Sequence, residues 1–496
     1  MPEQILLQGK LLGIDDFLAT QRAAEHDANQ PERVAARSLW ISLVCEVLPR
    51  ALLAELDLAR VLLGSSGGEQ FLLVLPDTVR DAANDFLNAA ARQLETLTQR
   101  TVRLIWASTE NLGDWTVVRK RLTDELTARE NAPASATFNF EPYTRAAGDD
   151  IFTPEMAQTL RSAAAVGWSA GLPEIITTGE AKHRWPLSAN LSLDGILLTR
   201  EAAPGPHGAP ASPADFLARA AGHPLWGVLR GDVDDFAIRL RRLNSIEEHV
   251  QISVLYKQFF AGELNVPHRP DEFRQKFSIL YSGGNDFAVY GTWDALIELA
   301  RELHGTFHRF AAENLREFPG AEAKTITMAI ALSDDARQPL ASLFEQAGRN
   351  LATAKAEDKD CIYLLDRILE WKQLDDAADL KDAVSRVSEE FKAGRQFLEQ
   401  LTRLYRKASS LADSQADHER LLARAYRFQR RYSRAAGTRR EREFQKLRTH
   451  LINEIVGRNV RPAAGKQFRL RPAGVVALEW ARLLTPTGAT GARQEV

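Results

Sequence analysis

Two stretches of this 496-residue sequence decide its fold: residues 226–236 read WGVLRGDVDDF, and residues 277–290 read FSILYSGGNDFAVY. The first stretch predicts a buried apolar strand, Trp226–Arg230, which ends near Asp232 and leads into a helix. The second predicts two strands joined by a tight turn, because apolar runs flank the turn-forming residues 282–286. The sequence therefore predicts a strand, a helix and a β-hairpin in succession.

A further helix and strand complete this unit. Helical spacing of apolar residues predicts a helix over Trp293–Asn314, and an apolar run predicts a strand over Ile326–Leu332. The resulting order, β-α-β-β-α-β, is that of a ferredoxin-like domain.

The same order is repeated near the start of the chain. Asp-Asp-Phe at residues 15–17 and Ser-Gly-Gly at 66–68 recur as residues 234–236 and 282–284, in the same order and at nearly the same separation. The period is too long for a solenoid repeat, so it indicates two copies of one domain.

Four parts follow from this repeat in an α+β protein. We predict a first ferredoxin-like domain over residues 1–110 and a second over 216–368. An intervening domain with a Pro/Gly-rich linker occupies 111–215, and an all-α C-terminal domain occupies 369–496. The sequence is predicted to become helical directly after Tyr363.

Composition limits the class of protein. The formal net charge is −3, which by itself indicates no nucleic-acid partner. The two cysteines, Cys45 and Cys361, are too few for a disulfide framework or a multi-cysteine zinc site, so no zinc is expected. No signal peptide or long apolar segment is evident, and we therefore expect a cytoplasmic protein that does not cross a membrane.

The chemistry is expected where the first strand of the second copy ends. A ferredoxin-like sheet places Asp232 beside the Gly-Gly-Asn-Asp hairpin, and carboxylates there suit Mg²⁺ and substrate phosphates. Paired glycines let a nucleotide lie against the backbone, as in a nucleotidyl-transfer palm with two metal ions. The alternative is that Gly-Gly-Asn-Asp is simply a hairpin turn, for which these residue types are well suited.

The chain resembles the large subunit of type III CRISPR effector complexes, which carries two palm domains related to diguanylate cyclases. The likeness spans nearly the whole chain, from LLQGKLLGIDDF and GSSGGEQFLLVLP to GVLRGDVDDF, LYSGGNDFAVYG and RPAGVVALEWARLL. In that family the second palm holds ATP and polymerises it into cyclic oligoadenylates when a guide RNA captures a target transcript.

The resemblance implies roles for single residues. Asp232, the Val233 carbonyl and Asp286 would bind Mg²⁺ or Mn²⁺, and Asp232, Asn285 and Asp286 would form the catalytic set. The expected nucleotide contacts are Ser282, Gly283, Gly284 and Lys355.

Departures from the family pattern leave the activity open. Asn285 stands where the family has a metal-binding Asp, so one negative charge is missing. Lys10 occupies the strand-end position in the first copy, which predicts that this palm is non-catalytic although Glu69 keeps an acid on its hairpin. No N-terminal HD nuclease domain is expected, because the first palm begins at about residue 4.

A basic segment lies near the C-terminus. Residues 420–448 contain eleven Lys or Arg and two Glu. Five arginines follow helical spacing and predict contact with RNA or another subunit: Arg420, Arg424, Arg427, Arg431 and Arg434. The alternative is a solvated helix face balanced by an acidic helix over residues 370–399.

Two functions from different classes remain open. The first is a subunit whose second palm makes cyclic oligoadenylate from ATP in a ribonucleoprotein with guide RNA, target RNA and other type III CRISPR subunits. The second is a catalytically inactive scaffold that organises the RNAs and the other subunits; Asn285, Lys10 and the lack of a nuclease domain favour it.

Overall fold

The computed structural model describes residues 4–19, 30–132, 151–169, 175–188, 195–206, 210–262, 270–391, 394–409, 423–425, 427, 439–456 and 472–485. The chain forms two compact units. Unit 1 comprises Met1–Arg219 and Leu225–Lys355, and unit 2 comprises Ala220–Pro224 and Ala356–Val496. In the described helices, no segment is long and apolar enough to cross a bilayer.

Unit 1 contains the two predicted copies of the β-α-β-β-α-β order. The first copy consists of β1 Gln4–Leu12, α1 Ile14–Ala19, α2 Gln30–Glu55, β2 Leu63–Gly67, β3 Gln70–Pro76, α3 Arg80–Leu97 and β4 Arg103–Glu110. Its strands lie in the order β2-β3-β1-β4, and β1 is antiparallel to both neighbours. This is the ferredoxin-like arrangement, with the first helix divided in two.

An intervening segment separates the copies. It consists of α4 Trp115–Asn131, α5 Pro154–Ser162, β5 Ala165–Trp168, β6 Ile176–Thr177, β7 Arg184–Ser188, β8 Ile196–Leu197 and α6 Pro213–Arg219. The four short strands form a sheet in the order β6-β5-β7-β8. Thr153 caps α5 by accepting a hydrogen bond from the Met156 amide, and α4 packs against β4 of the first copy.

The second copy repeats the first element by element. It consists of β9 Trp226–Val233, α7 Phe236–Arg241, α8 Ile246–Gly262, α9 Asp271–Arg274, β10 Phe277–Gly283, β11 Asp286–Thr292, α10 Trp293–Asn314, β12 Ile326–Ser333 and α11 Leu340–Glu357. Strands β10, β11, β9 and β12 are adjacent in that order. The predicted α+β fold with two palm-like domains is confirmed.

The two copies share one hydrophobic core, because each long helix packs on the other copy's hairpin. Helix α2 contacts β10, and α8 contacts β2. The Ser38 hydroxyl on α2 donates to the Leu280 carbonyl at 2.7 Å. Fully buried Trp40 and Trp226, one from each copy, belong to the same apolar cluster.

Unit 2 begins with a hairpin that sequence analysis did not anticipate. Strands β13 Cys361–Leu364 and β14 Arg367–Glu370 pair antiparallel, so the prediction of helix directly after Tyr363 is wrong there. Leu365 and Asp366 form the two-residue turn with φ of 50° and 59°. This left-handed turn normally uses Asn or Gly, and its unusual residues concealed it in the sequence.

Four helices follow the hairpin in the described part of unit 2: α12 Trp371–Glu390, α13 Gly394–Ser409, α14 Arg439–Leu451 and α15 Pro472–Leu484. The acidic segment predicted as one helix over 370–399 is therefore two helices, because Phe391 adopts an extended backbone. A π-helical segment, Ile452–Val456, continues α14. Phe444 packs against Phe391 and Phe397, with ring centroids 5.1 and 6.4 Å apart.

One glycine of β9 is required by packing. A Cβ on Gly231 would lie 2.3 Å from Cε1 of Phe287, so we expect Gly231→Ala to destabilise the protein. Overpacking of this kind costs about 1–3 kcal/mol. Gly262→Ala is the control, because no atom of the described residues lies within 4 Å of its added Cβ. Thermal unfolding tests this, and equal midpoints for both variants would contradict it.

Candidate functional site

Strand β9 ends at the centre of the candidate site. In the register of the sheet, Asp232 lies opposite Asp286 of β11 on one side and opposite Thr327 of β12 on the other. Directly opposed residues of antiparallel strands share one face of the sheet, so the two carboxylates lie on the same face. Gly284 makes the hairpin turn possible with a φ of 63°.

Asn285 contacts the strand-end carboxylate directly. Its side-chain amide donates to Oδ1 of Asp232 at 2.6 Å, and the Val233 amide donates to the Asn285 carbonyl at 2.9 Å. The structure thus brings together Asp232 and Asn285, two residues of the predicted catalytic set. An uncharged amide stands where a second carboxylate would repel Asp232.

The ammonium of Lys355 occupies the centre of this group. Lys355, near the end of α11, places Nζ 2.5 Å from Oδ2 of Asp232 and 3.4 Å from the Val233 carbonyl. Oδ1 of Asp234 lies 3.7 Å from the same nitrogen. Asp234, which sequence analysis missed as a site residue, is buried and accepts hydrogen bonds from Thr325 and Thr327. Three oxygen ligands therefore converge on one positive charge.

Asp286 belongs to a second network on the same face. The Tyr281 hydroxyl donates to Oδ2 of Asp286 at 2.9 Å, and Arg230 donates to Tyr281 and to both carboxylate oxygens of Asp15. Burial and the nearby Asp232 carboxylate raise the pKa of Asp286 to about 7. The sequence did not single out this network, because Arg230 joins Asp15 and Tyr281 across 215 and 51 positions of the chain.

Burial also acts on Asp232. Its pKa is raised by burial, against the opposing effect of the Lys355 ammonium and the Asn285 amide. The face therefore holds two carboxylates that favour a further cation.

The predicted nucleotide-contact residues have other partners in this structure. Ser282 donates its hydroxyl to the Phe260 carbonyl at 2.6 Å. A Cβ on Gly284 would lie 3.0 Å from the Cα of Gly68, so the hairpins of the two copies meet turn to turn. The glycine pairs thus permit close contact between the two palms. The sequence analysis predicted that they permit close contact with a nucleotide.

The first copy carries the same arrangement with exchanged charges. Gly9 lies against Phe71 as Gly231 lies against Phe287, which places Lys10 at the position of Asp232. Lys10 Nζ lies 3.5 Å from Glu69, on the hairpin, and 3.4 Å from Glu130, near the end of α4. The lysine is on the strand and the acid on the helix, the reverse of Asp232 and Lys355.

A cavity of about 840 Å³ connects these features within unit 1. Its lining includes Asp232 and Lys355 from the second copy and Lys10 and Glu46 from the first. This volume lies within the range of small-molecule sites.

The oxygen ligands of the second copy fit a hard divalent cation. The Asp232 carboxylate and the Val233 carbonyl already converge on the Lys355 ammonium, and both are ligand types that Mg²⁺ prefers. Among the residues that the structure describes, no three His, Cys, Asp or Glu side chains are grouped so as to hold a metal by themselves. Substrate phosphates would have to supply the remaining ligands, as is usual for Mg²⁺.

The basic segment is only partly described. Arg424 and Arg427 are exposed, whereas Arg420, Arg431 and Arg434 lie outside the described residues. The Arg427 guanidinium donates to the Ala423 carbonyl at 3.1 Å.

Comparison with known proteins identifies relatives of the chain. Residues 225–363 match the family Cas10/Cmr2, second palm domain. The CRISPR system single-strand-specific deoxyribonuclease Cas10/Csm1 (subtype III-A) of Mycobacterium tuberculosis is 24% identical over 449 residues, covering 72% of this chain and 53% of the relative. The Enterococcus italicus protein of the same name is 26% identical over 170 residues, covering 33% of this chain and 21% of the relative. The chain thus spans about half the length of the first relative and a smaller share of the second.

Solved structures share the fold. A Csm1-Csm4 cassette in complex with cA3 matches with a TM-score of 0.69 at 16% identity, covering 98% of this chain and 70% of that one. The cassette in complex with cA4 matches with a TM-score of 0.70 at 17% identity, covering 97% and 70%. The predicted resemblance to the large subunit of type III CRISPR complexes is confirmed by these relatives.

Proposed function

Because this chain is a relative of the Cas10/Csm1 large subunits and carries their second palm domain at residues 225–363, we propose that it is the large subunit of an RNA-guided type III CRISPR complex. Its partners would be guide RNA, target RNA and the other subunits of that complex, in the cytoplasm. Arg420, Arg424, Arg427, Arg431 and Arg434 are proposed to contact RNA or a neighbouring subunit.

The second palm is proposed to bind ATP with Mg²⁺ or Mn²⁺ and to join ATP molecules into cyclic oligoadenylate. The observation that carries this proposal is the convergence of Asp232 and the Val233 carbonyl on the Lys355 ammonium. Asp232 and Val233 would hold the cation, while Lys355 would leave the carboxylate and pair with a phosphate. A bound divalent cation would supply charge neutralisation and activate the attacking hydroxyl.

The remaining residues would orient the reaction. Asn285 fixes one oxygen of Asp232 through its amide, which leaves the other oxygen directed at the cation position. Tyr281 and Arg230 hold Asp286 through hydrogen bonds and charge. Ser282, Gly283 and Gly284 remain the proposed backbone platform for the nucleotide.

A catalytically silent scaffold is the second candidate, and Asn285 favours it. The family motif has an acid at this position, and the site must neutralise a triphosphate and cations together. The deciding experiment incubates the assembled complex with ATP, Mg²⁺ or Mn²⁺ and matching target RNA, and looks for oligoadenylate products by mass spectrometry. Product from the wild-type complex supports the cyclase; its absence supports the scaffold.

Restoring the acid provides a sharper test. We expect Asn285→Asp to raise product formation by about tenfold or more, because a second carboxylate would strengthen cation binding beside Asp232. Asn285→Ala is the matched control and should not raise it. An Asn285→Asp variant no more active than wild type would show that the missing charge does not limit this site.

A further inference from the structure

A cluster of donors lies where α4 of the intervening segment meets the second copy, apart from the residues assigned above. Trp115 and Arg119 lie one turn apart on α4, so they share one face of that helix. His249 lies on α8, and its ring is 5.7 Å from that of Trp115 at an angle of 64°. Arg241, at the end of α7, lies close enough to Arg119 to affect its ionisation. We call these four residues the α4–α8 cluster.

Three polar atoms of this cluster are buried without a partner among the described residues. They are Nε1 of Trp115, Nη1 of Arg119 and Nδ1 of His249. Trp115 and His249 are each only 8% exposed. Buried polar atoms are almost always hydrogen-bonded, and one that is not costs free energy. Three such atoms on neighbouring side chains of one cluster indicate a ligand with several acceptor atoms.

The charge of the cluster is equally unbalanced. Within the described residues, neither Arg119 nor Arg241 forms an ion pair. Burial and the neighbouring Arg241 lower the pKa of Arg119 to about 10. Burial and the Arg119 charge lower the pKa of His249 to about 4, so the imidazole is neutral at pH 7.

A neutral imidazole can still be a hydrogen-bond donor. Nε2 of His249 lies 3.2 Å from the Ser65 hydroxyl. If that hydroxyl donates to Nε2, the ring proton is on Nδ1. The indole, the guanidinium and the imidazole would then all be donors, and none of them an acceptor.

We propose that the α4–α8 cluster binds a phosphate group, belonging either to a nucleotide or to RNA. A set made only of donors, one of them a guanidinium with the exposed Arg241 nearby, suits an anion with several oxygens, and a phosphate offers more acceptors than a carboxylate. His249 also lines the cavity that contains Asp232 and Lys355. The phosphate site is thus at the edge of the proposed nucleotide cavity, so its biological role rests on the proposed function.

The test uses the full chain and inorganic phosphate in the presence of EDTA, because this cluster needs no divalent cation. Isothermal titration should show binding to the wild type, and Arg119→Met should weaken it at least tenfold. Lys120→Gln is the matched control, since it removes one positive charge from the exposed face of the same helix.

Thermal unfolding provides a second measurement. Its expected result differs from that for an arginine with a purely structural role. Without phosphate, Arg119→Met should unfold at a higher temperature than the wild type, because it removes a partly buried charge that has no ion pair among the described residues. Phosphate should raise the unfolding temperature of the wild type and of Lys120→Gln, but not that of Arg119→Met. Trp115→Phe, which removes only the indole donor and keeps a buried ring, should weaken phosphate binding several-fold.

Competition distinguishes the sources of the phosphate. Displacement by ATP in EDTA would indicate a nucleotide, and displacement by a 5′-hydroxyl RNA oligonucleotide would indicate an RNA backbone. The proposal is overturned if the wild type binds no phosphate, if Arg119→Met and Lys120→Gln bind it equally well, or if only an acidic peptide displaces it. None of these outcomes depends on oligoadenylate synthesis. The proposed activity is tested separately by the product assay.

Discussion

Asp232→Ala is expected to weaken magnesium-dependent ATP binding by the second palm more than about 100-fold, and to abolish any oligoadenylate product. The reason is that Asp232 is the carboxylate on which the Asn285 amide and the Lys355 ammonium converge. Loss of an outer-shell partner of a metal ligand costs about 10- to 100-fold, and loss of the ligand itself should cost more. The variant should remain folded, because Lys355 keeps Asp234 within 3.7 Å as an alternative partner.

The internal repeat supplies a matched control for this measurement. Lys10 takes the position of Asp232 in the first copy and lies beside Glu69 and Glu130. We expect Lys10→Ala to leave magnesium-dependent ATP binding by the second palm within about threefold of the wild type, since the lysine side chain offers no oxygen ligand to a cation. Measuring binding rather than turnover keeps the test valid if the palm is a scaffold. Equal losses in both variants would refute the assignment of the cation to Asp232.

Much of the second copy could be predicted from the sequence because its signals are local. The helix over Trp293–Asn314 has the predicted bounds, since Thr292 caps it and apolar spacing defines its length. The hairpin of Gly283 and Gly284 follows from turn chemistry, and Asp232 opposite Asp286 follows from the order of the strands. The internal repeat also predicted that Lys10 takes the position of Asp232 in the first copy.

What the sequence could not provide are contacts between distant residues. Arg230 bonds to Asp15, 215 positions away, and this pair links the two copies beside Asp286. Likewise, Glu130 lies close to Lys10 only because α4 packs against β4. The hairpin after Tyr363 was missed for the opposite reason, since a left-handed turn at Leu365 and Asp366 uses residues that rarely form one.

The largest expected effect on stability concerns a buried ion cluster that joins the copies. Glu46 on α2 of the first copy accepts from Lys257 of α8 at 2.6 Å, from Arg50 at 2.8 Å and from Ser66 at 3.0 Å. Its side chain is 6% exposed. Glu46→Gln would leave two buried cations facing each other without an anion. Breaking a buried pair in this way costs about 3–5 kcal/mol.

The control lies on the same helix. Glu55 pairs with Lys182 at 3.0 Å, but the two side chains are 40% and 67% exposed. Exposed pairs contribute about 0–1 kcal/mol, so Glu55→Gln should change little. Adding Lys257→Met to Glu46→Gln should recover part of the loss, because it removes one of the unpaired charges. Calorimetric unfolding at pH 7 compares the three variants, and equal effects of Glu46→Gln and Glu55→Gln would contradict the role of the cluster.

The stabilisation by Glu46 should depend on pH in a definite direction. Burial alone would raise the pKa of Glu46, but Lys257 and Arg50 outweigh it and lower the pKa from 4.5 to about 2. A carboxyl whose pKa is lower in the folded state binds its proton first in the unfolded chain. Its stabilisation is therefore complete above about pH 4.5 and is lost as the pH falls toward 2. The difference in unfolding temperature between the wild type and Glu46→Gln should accordingly be largest at pH 7 and shrink at pH 3; a difference that grows in acid would show that Glu46 is not ionised in the fold.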